Sequence, residues 1–400
     1  MEAPTAPPTT PQRYEHKYAD DAVDVLLIGL GSIGTVYAYL LEKSGKVRVT
    51  AVARSNYPLY AGEGVTIESQ RFGTITNFKP YRVFKSQAEA LADGTKYALC
   101  VVATKCLPDI TPNAKLLEDS IKSGQVGAFV LIQVGEVVAP ECGVKLTRHQ
   151  NGLRVEEDLY AAAPSIPIVS CIGWIAINTN TAGDVVTWKG VEKTGTGLFP
   201  VATADKPHSA QQQAALDLWV NLLQAGNGNV VLTDNIDSMR FGKNVWTATW
   251  AGMQGLIRTP AACFEPLSEA HHAQIKKYMR EIQTLGWKTG LLYEGMVLQP
   301  MGLKAESIDQ LIEFDFSRFV TEAGRTTAVA HKWSLLLDVE NNRPFEVEVI
   351  FGSMVRLARQ HGIETPLIDF VYTLLSGLQS SIVRSRNPPA EDSKPVKDFP

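Results

Sequence analysis

Val25-Leu26-Leu27-Ile28-Gly29-Leu30-Gly31-Ser32-Ile33-Gly34 is the stretch on which the fold turns. An apolar run reads as a buried strand and passes without a break into G-x-G-x-x-G and then into helix-like sequence. In that setting each glycine has a task. Gly29 permits the tight turn, Gly31 lets the backbone approach a pyrophosphate, and Gly34 lets the helix pack closely on the strand. Leu30, Ser32 and Ile33 complete a turn whose N–H groups, at the start of a helix, face negative charge. Three glycines at this spacing also occur in ordinary turns; the strand before them and the helix after them mark a dinucleotide-binding turn.

The next strand-like run, Val47 to Ala53, ends about twenty residues beyond that turn, where a chain that binds NAD places an acid for the ribose 2′-hydroxyl. Here the residues are Ala53-Arg54-Ser55. A guanidinium beside a hydroxyl suits a 2′-phosphate, whereas a carboxylate would repel it. The cofactor we expect is therefore NADP(H), with Arg54 on its phosphate.

The bulk numbers agree with a small-molecule enzyme. The chain has 400 residues, 45% hydrophobic and 20% charged, which is too long for one typical core and predicts two domains. Net charge is only -4 and the basic residues are scattered, so no footprint for nucleic acid or an anionic membrane is present. The five cysteines, Cys100, Cys106, Cys142, Cys171 and Cys263, never form C-x-x-C and read as buried thiols of a reducing compartment. The first twenty residues hold no apolar run for a signal or membrane span, and the expected location is cytoplasmic. His271-His272 lacks the spacing of a zinc helix, so no metal is expected. The aromatic stretch from Trp246 to Trp250 reads as core packing.

Strand-like runs at Val23 to Ile28, Val47 to Ala53, Tyr97 to Thr104 and Val126 to Gln133 alternate with amphipathic stretches, which predicts βαβ units and a mostly parallel sheet. Ile168 to Leu198 reads as shorter strands separated by glycines. From Ser209 onward the apolar residues recur at helical spacing, in Gln211 to Gln224, Met239 to Ile257, Ser268 to Leu292 and Glu346 to His361. The expected organisation is a Pro/Thr-rich disordered tail over 1–20, an α/β Rossmann-type domain over 21–208, an all-α domain over 209–385 and a second disordered tail over 386–400.

Several segments, in this order, resemble the ketopantoate reductase (2-dehydropantoate 2-reductase) family. Ala53-Arg54-Ser55 is similar to its second strand end, Val101-Val102-Ala103-Thr104-Lys105 to the strand that ends in a substrate-site lysine, and Leu131-Ile132-Gln133-Val134-Gly135 to its Q-N-G turn. Arg240-Phe241-Gly242-Lys243-Asn244-Val245-Trp246 resembles the segment of the catalytic lysine. Trp333-Ser334-Leu335-Leu336-Leu337-Asp338 and Asn342-Arg343-Pro344-Phe345-Glu346-Val347-Glu348 resemble its serine-to-aspartate segment and its G-R-P-T-E-I-D signature.

The resemblance implies a C-terminal helical domain like that of 6-phosphogluconate dehydrogenase and reduction of a 2-oxo acid by NADPH, ketopantoate to pantoate in the family's own case. It implies Lys243 and Glu346 as catalytic residues, Lys105, Thr247 and Ser334 at the substrate, and Lys105 and Glu346 also near the cofactor. Val134, Thr247 and Ala251 stand where the family carries asparagines. At a spacing of four on a helix, Lys243, Thr247 and Ala251 are expected on one wall of the cleft. Loss of amides from that wall keeps two alternatives open: a bulkier keto substrate in specialised metabolism, or a silent NADP-binding regulatory protein. A homodimer is left open as well.

Overall fold

The computed structural model describes residues 10–136, 152–320 and 332–386. Its eleven-stranded sheet contains β1 (Gln12–Arg13), β2 (Val23–Ile28), β3 (Val47–Val52), β4 (Val65–Ser69), β5 (Gly73–Phe78), β6 (Arg82–Phe84), β7 (Leu99–Val102), β8 (Phe129–Glu136), β9 (Ile168–Thr179), β10 (Val185–Phe199) and β11 (Val230–Leu232). The strand order is β1-β5-β4-β10-β9-β8-β7-β2-β3-β6, with β11 paired to β10. Strands β6, β3, β2, β7, β8 and β9 are all parallel. Numbered among themselves in chain order they read 3-2-1-4-5-6, the doubly wound dinucleotide-binding arrangement, whose ligand crevice opens where the order reverses beside β2.

The α/β N-terminal unit and the helical C-terminal unit are both present, and the sheet strands fall where alternation placed them. Two boundaries differ. The helix Ala210–Ala225 packs on the sheet: Trp219, Leu222 and Leu223 join the core of the helix Ser32–Lys43 and β9. Since β11 then pairs with β10, the first unit runs past residue 208 to the loop before Ile236. Helical periodicity shows that a face is buried, not which core buries it, and this is why the boundary was set too early.

The tail reading also fails for residues 10–20. Gln12 and Arg13 add a parallel strand to β5, and Tyr14 donates to Glu42 Oε2 at 3.1 Å while meeting Phe78 edge to face. Proline and threonine content suggested disorder, yet one half-buried tyrosine and one sheet edge hold this segment. Cys142, residues 1–9 and residues 387–400 lie outside the described residues.

The glycine-rich Ile168 to Leu198 region forms two long antiparallel strands instead of short pieces. Its glycines serve close approach: a Cβ at Gly195 would lie 2.4 Å from Met239 Sδ, and one at Gly197 would lie 2.8 Å from the Thr233 carbonyl oxygen.

The helical unit has its own core, into which Trp246 and Trp250 are packed as expected. The last helix, Pro366–Arg386, is long and apolar enough to cross a membrane, and it is anchored to this core by Ile368, Leu375 and Ile382. Among the described cysteines, Cys100, Cys106 and Cys171 are buried.

Trp219→Ala tests the shifted boundary. It is expected to lower the unfolding free energy of the sheet unit by about 3–5 kcal/mol, read from urea denaturation. A loss below about 1 kcal/mol would place the helix outside that core.

Candidate active site in the cleft between the two units

At the cofactor turn, Gly29 has φ +98° and a Cβ there would lie 2.6 Å from Thr104 Cγ2. A Cβ at Gly34 would lie 2.1 Å from the Gly29 carbonyl oxygen, so the helix starts in contact with the turn. Gly31 differs: it is the N-cap of Ser32–Lys43, and a Cβ there meets nothing within 4 Å. The two crowded glycines shape the turn and the third leaves an open cradle before a helix N-terminus, which fits a pyrophosphate. Leu30 and Ile33 are buried; Ser32 is buried as well. Arg54 is exposed two residues beyond β3, and its loop is tied to the turn by Asn56, whose side-chain amide donates to the Leu30 carbonyl.

Four site residues meet on the other side of the cleft. Lys105, three residues beyond β7, forms an ion pair with Asp338 and donates to the Pro344 carbonyl at 3.1 Å. Asp338 belongs to the helix Ser334–Glu340, where the spacing of four puts Ser334 on the same face one turn earlier. Two residues past Pro344 comes Glu346, buried, whose charge acts on Lys243 and on the Cys106 thiol. Gln379 fixes the chain just before it, accepting from Phe345 N at 3.0 Å, donating to Phe345 O at 2.9 Å and donating to Asp109 Oδ2 at 2.8 Å.

Lys243 lies on the helix Ile236–Trp246, with only 7% of its surface exposed. Its ammonium donates to the Gly173 carbonyl on β9 at 2.9 Å and stands 6.0 Å from the centroid of the Trp174 ring. Burial pushes its pKa well below the usual lysine range, and the neighbouring Arg240 guanidinium pushes the same way; Glu346 opposes both. Arg240, one turn earlier, is locked in place: Nε lies 2.8 Å from Glu156 Oε1, and its second amino nitrogen donates to Ser170 Oγ at 2.6 Å and to the Cys171 carbonyl at 3.3 Å. The residue motifs alone gave Arg240, Glu156 and Asp338 no role. The only local clue was the i, i+3 spacing of Arg240 and Lys243.

The shared wall of Lys243, Thr247 and Ala251 needs correction. The α-helix stops at Trp246 and Thr247–Ala251 forms a π-helical turn, whose i→i+5 bonds insert a residue and rotate the turns beyond it. Thr247 and Ala251 are fully enclosed, and the Thr247 hydroxyl reaches neither solvent nor a hydrogen-bond partner. A second π turn, Glu348–Gly352, comes shortly after Glu346, and Asn244 Nδ2 joins the two through the Ile350 carbonyl at 3.0 Å. The expected Q-N-G-like turn is instead the continuing strand β8, which pairs Val134 with Gly173; the Val134 side chain lies outside the described residues. His271 and His272 bond only locally, to Ser268 and to the Phe264 carbonyl.

The sequence models described as Ketopantoate reductase PanE/ApbA and Ketopantoate reductase PanE/ApbA C terminal match residues 25–199 and 235–379. The chain belongs to the ketopantoate reductase family. The second match begins where the structure, not the helical periodicity, puts the unit boundary. Family members are oxidoreductases acting on CH–OH groups. The uncharacterized protein YDL144C of Saccharomyces cerevisiae is 25% identical, over 90% of this chain and 94% of its own length. The 2-dehydropantoate 2-reductase of Nostoc sp. is 23% identical, over 91% of this chain and 95% of its own. Among solved structures, the 2-dehydropantoate 2-reductase from Methylococcus capsulatus is similar in fold, with a TM-score of 0.65 at 23% identity, 90% of this chain and 98% of that one. D-mandelate dehydrogenase, solved with NADH and anilino(oxo)acetate, has a TM-score of 0.65 at 16% identity, covering 90% of this chain and 99% of that one.

Lys243→Met is expected to cut turnover by roughly 10²–10⁴-fold. It should also raise stability near neutral pH. A lysine whose folded pKa is depressed binds its proton better in the unfolded chain, so it costs stability at low pH and the cost fades as pH rises toward the ordinary lysine value. Thermal melts at pH 7 and pH 10 check the sign: the advantage of Met must shrink at the higher pH.

Proposed function

We propose that this chain reduces a 2-oxo acid to a 2-hydroxy acid with NADPH, ketopantoate being the first substrate to try, in the cytoplasm. The observation that carries the reading is Lys243, a buried lysine under the charge of Glu346, in a chain whose glycine turn leaves an open cradle at Gly31. A bound nicotinamide supplies the hydride. Gly29, Gly31 and Gly34 would seat its pyrophosphate and Arg54 its 2′-phosphate.

Lys243 spends one of its three N–H groups on Gly173 and keeps the others for the substrate carbonyl oxygen. As negative charge grows on that oxygen, the ammonium stabilises it and then gives up a proton, ending as a neutral amine, which burial already favours. Glu346 works against the fall in the proton affinity of Lys243, and the reduction needs the lysine in its charged form. Lys105 is placed for the substrate carboxylate, which must share or take over the position that Asp338 holds.

A second reading, a bulkier and less polar keto acid, is favoured by the indole of Trp174 beside Lys243. The silent regulatory alternative has no such support: Lys243 and Glu346 are both present, and the carboxylate acts on the lysine.

Nicotinamide absorbance, followed with ketopantoate, pyruvate and phenylglyoxylate in parallel, separates these readings. Fast turnover of ketopantoate supports the first, preference for phenylglyoxylate the second, and NADPH binding without turnover of any keto acid overturns both. In the reductive direction the rate should fall as pH rises through the lowered pKa of Lys243, and in the oxidative direction it should rise over the same range. Arg54→Ala should raise KM for NADPH and leave KM for NADH nearly unchanged; equal changes would refute the phosphate role.

A further inference from the structure

Arg54 has a neighbour that the motif around it does not include. Strands β3 and β6 are parallel with Val52 opposite Phe84, and the pairing continues one step, Ala53 N donating to the Phe84 carbonyl at 2.9 Å. In that register Lys85 stands opposite Ala53, and Arg54 is the residue that follows Ala53 as the strand leaves the sheet.

Both side chains are exposed, and among the described residues neither forms an ion pair. This sets them apart from the other cations of these strands: Arg48 is held by Asp24 and Arg82 by Asp93. The nearest acid on the chain, Glu89, is committed elsewhere. Its carboxylate accepts the backbone N–H of Lys85 at 3.0 Å, and its own N–H donates to Ser86 Oγ, so it caps a helix and leaves the ammonium of Lys85 alone. That ammonium stands 5.1 Å from the centroid of the Tyr57 ring. Tyr57 itself opens the helix Tyr57–Ala61, and its N–H donates to the Arg54 carbonyl at 3.3 Å. Lys85 thus sits on the ring of the residue whose N–H closes the turn after Arg54, and the Asn56–Leu30 bond ties that turn to the glycine turn.

An anion that reaches two exposed cations is attracted by both. We propose that Lys85 is the second cation of a phosphomonoester site whose first cation is Arg54, and that it determines preference for a 2′-phosphorylated nicotinamide cofactor. The inference rests on the NADPH reading above. A dianionic phosphomonoester has oxygens enough for both groups, Arg54 as a fork and Lys85 as a point charge.

The test measures dissociation constants of the full-length protein for NADPH, NADH and 2′,5′-ADP by titration calorimetry, with inorganic phosphate as the arm that reports a generic anion. Variants are Lys85→Ala, Lys85→Arg and Arg54→Ala. We expect Lys85→Ala to weaken NADPH and 2′,5′-ADP by roughly 10-fold or more, the size of a lost charge-assisted contact, with NADH unchanged and Lys85→Arg restoring most of the loss. The dependence of NADPH affinity on salt should also become shallower in Lys85→Ala. If Arg54→Ala discriminates between the cofactors and Lys85→Ala does not, the inference about Lys85 is wrong and the NADPH reading stands. If the unaltered protein binds NADH as tightly as NADPH, the NADPH reading fails and this inference with it. Competition by inorganic phosphate as strong as by 2′,5′-ADP would make the pair a generic anion site and overturn the cofactor role.

Discussion

One buried docking governs the rest: the helix Ile236–Trp246 laid across β9. Along β9 alternate residues face one way, so Ser170, Ile172 and Trp174 form a single strip. Onto that strip the helix sets Ile236, Arg240 and Lys243. The anchor is ionic, since Arg240 and Glu156 are both almost wholly buried and Ser170 bonds to each. Two charges taken from water repay their desolvation only when hydrogen bonds saturate them, and removal of either partner strands the other at a cost of about 3–5 kcal/mol. This arrangement is therefore specific to one register of helix on strand. Because Lys243 lies three residues past Arg240, the register that satisfies the arginine also fixes where the lysine's ammonium stands. The arginine's charge then helps depress the lysine's proton affinity, so the anchor both positions Lys243 and tunes it.

The sheet unit was legible because its signals are local. A strand running into G-x-G-x-x-G needs only a few residues to be read, and β2 and β3 begin at the residues that alternation marked. What escaped was decided by contacts between distant segments. The helix Ala210–Ala225 has the same periodicity whether its tryptophan buries against the sheet or against other helices; the stacking of Trp219 on Tyr37 settles the matter, and nothing near Trp219 in sequence announces it. Likewise Gln12 and Arg13 become a strand only because β5 presents an edge to them.

At the site, legibility came from resemblance more than from residue chemistry. Lys105, Ser334, Lys243 and Glu346 are far apart in sequence, and each alone reads as an ordinary surface or helix residue. The resemblance brought them forward, and the structure joins Lys105 to Asp338, one turn from Ser334, and sets the charge of Glu346 on Lys243. It supplied no warning of the π turns. The α-helix gives way to a π turn at Thr247, and the inserted residue defeats any argument from a constant spacing of four. Thr247, which the resemblance put at the substrate and that spacing put on the wall of Lys243, is enclosed.

The charges of the cleft and of the cofactor loop divide the work of binding in different ways. Around the reacting centre every cation has an acid at hand: Arg240 with Glu156, Lys105 with Asp338, Lys243 with Glu346. Such a site carries little surplus charge, so an anionic substrate gains only by exchange, its carboxylate taking the place of one already present. Exchange is sensitive to geometry, because an acid that fails to match the departing carboxylate leaves a buried cation half-satisfied. At the end of β3 the balance is reversed. Arg54 is exposed and has no acid partner among the described residues, so an anion there gains attraction without displacing anything, at long range and with weak demands on shape. On the proposed reading, coarse electrostatic capture falls to the exposed loop at Arg54 and selective recognition to the buried charges around Lys243.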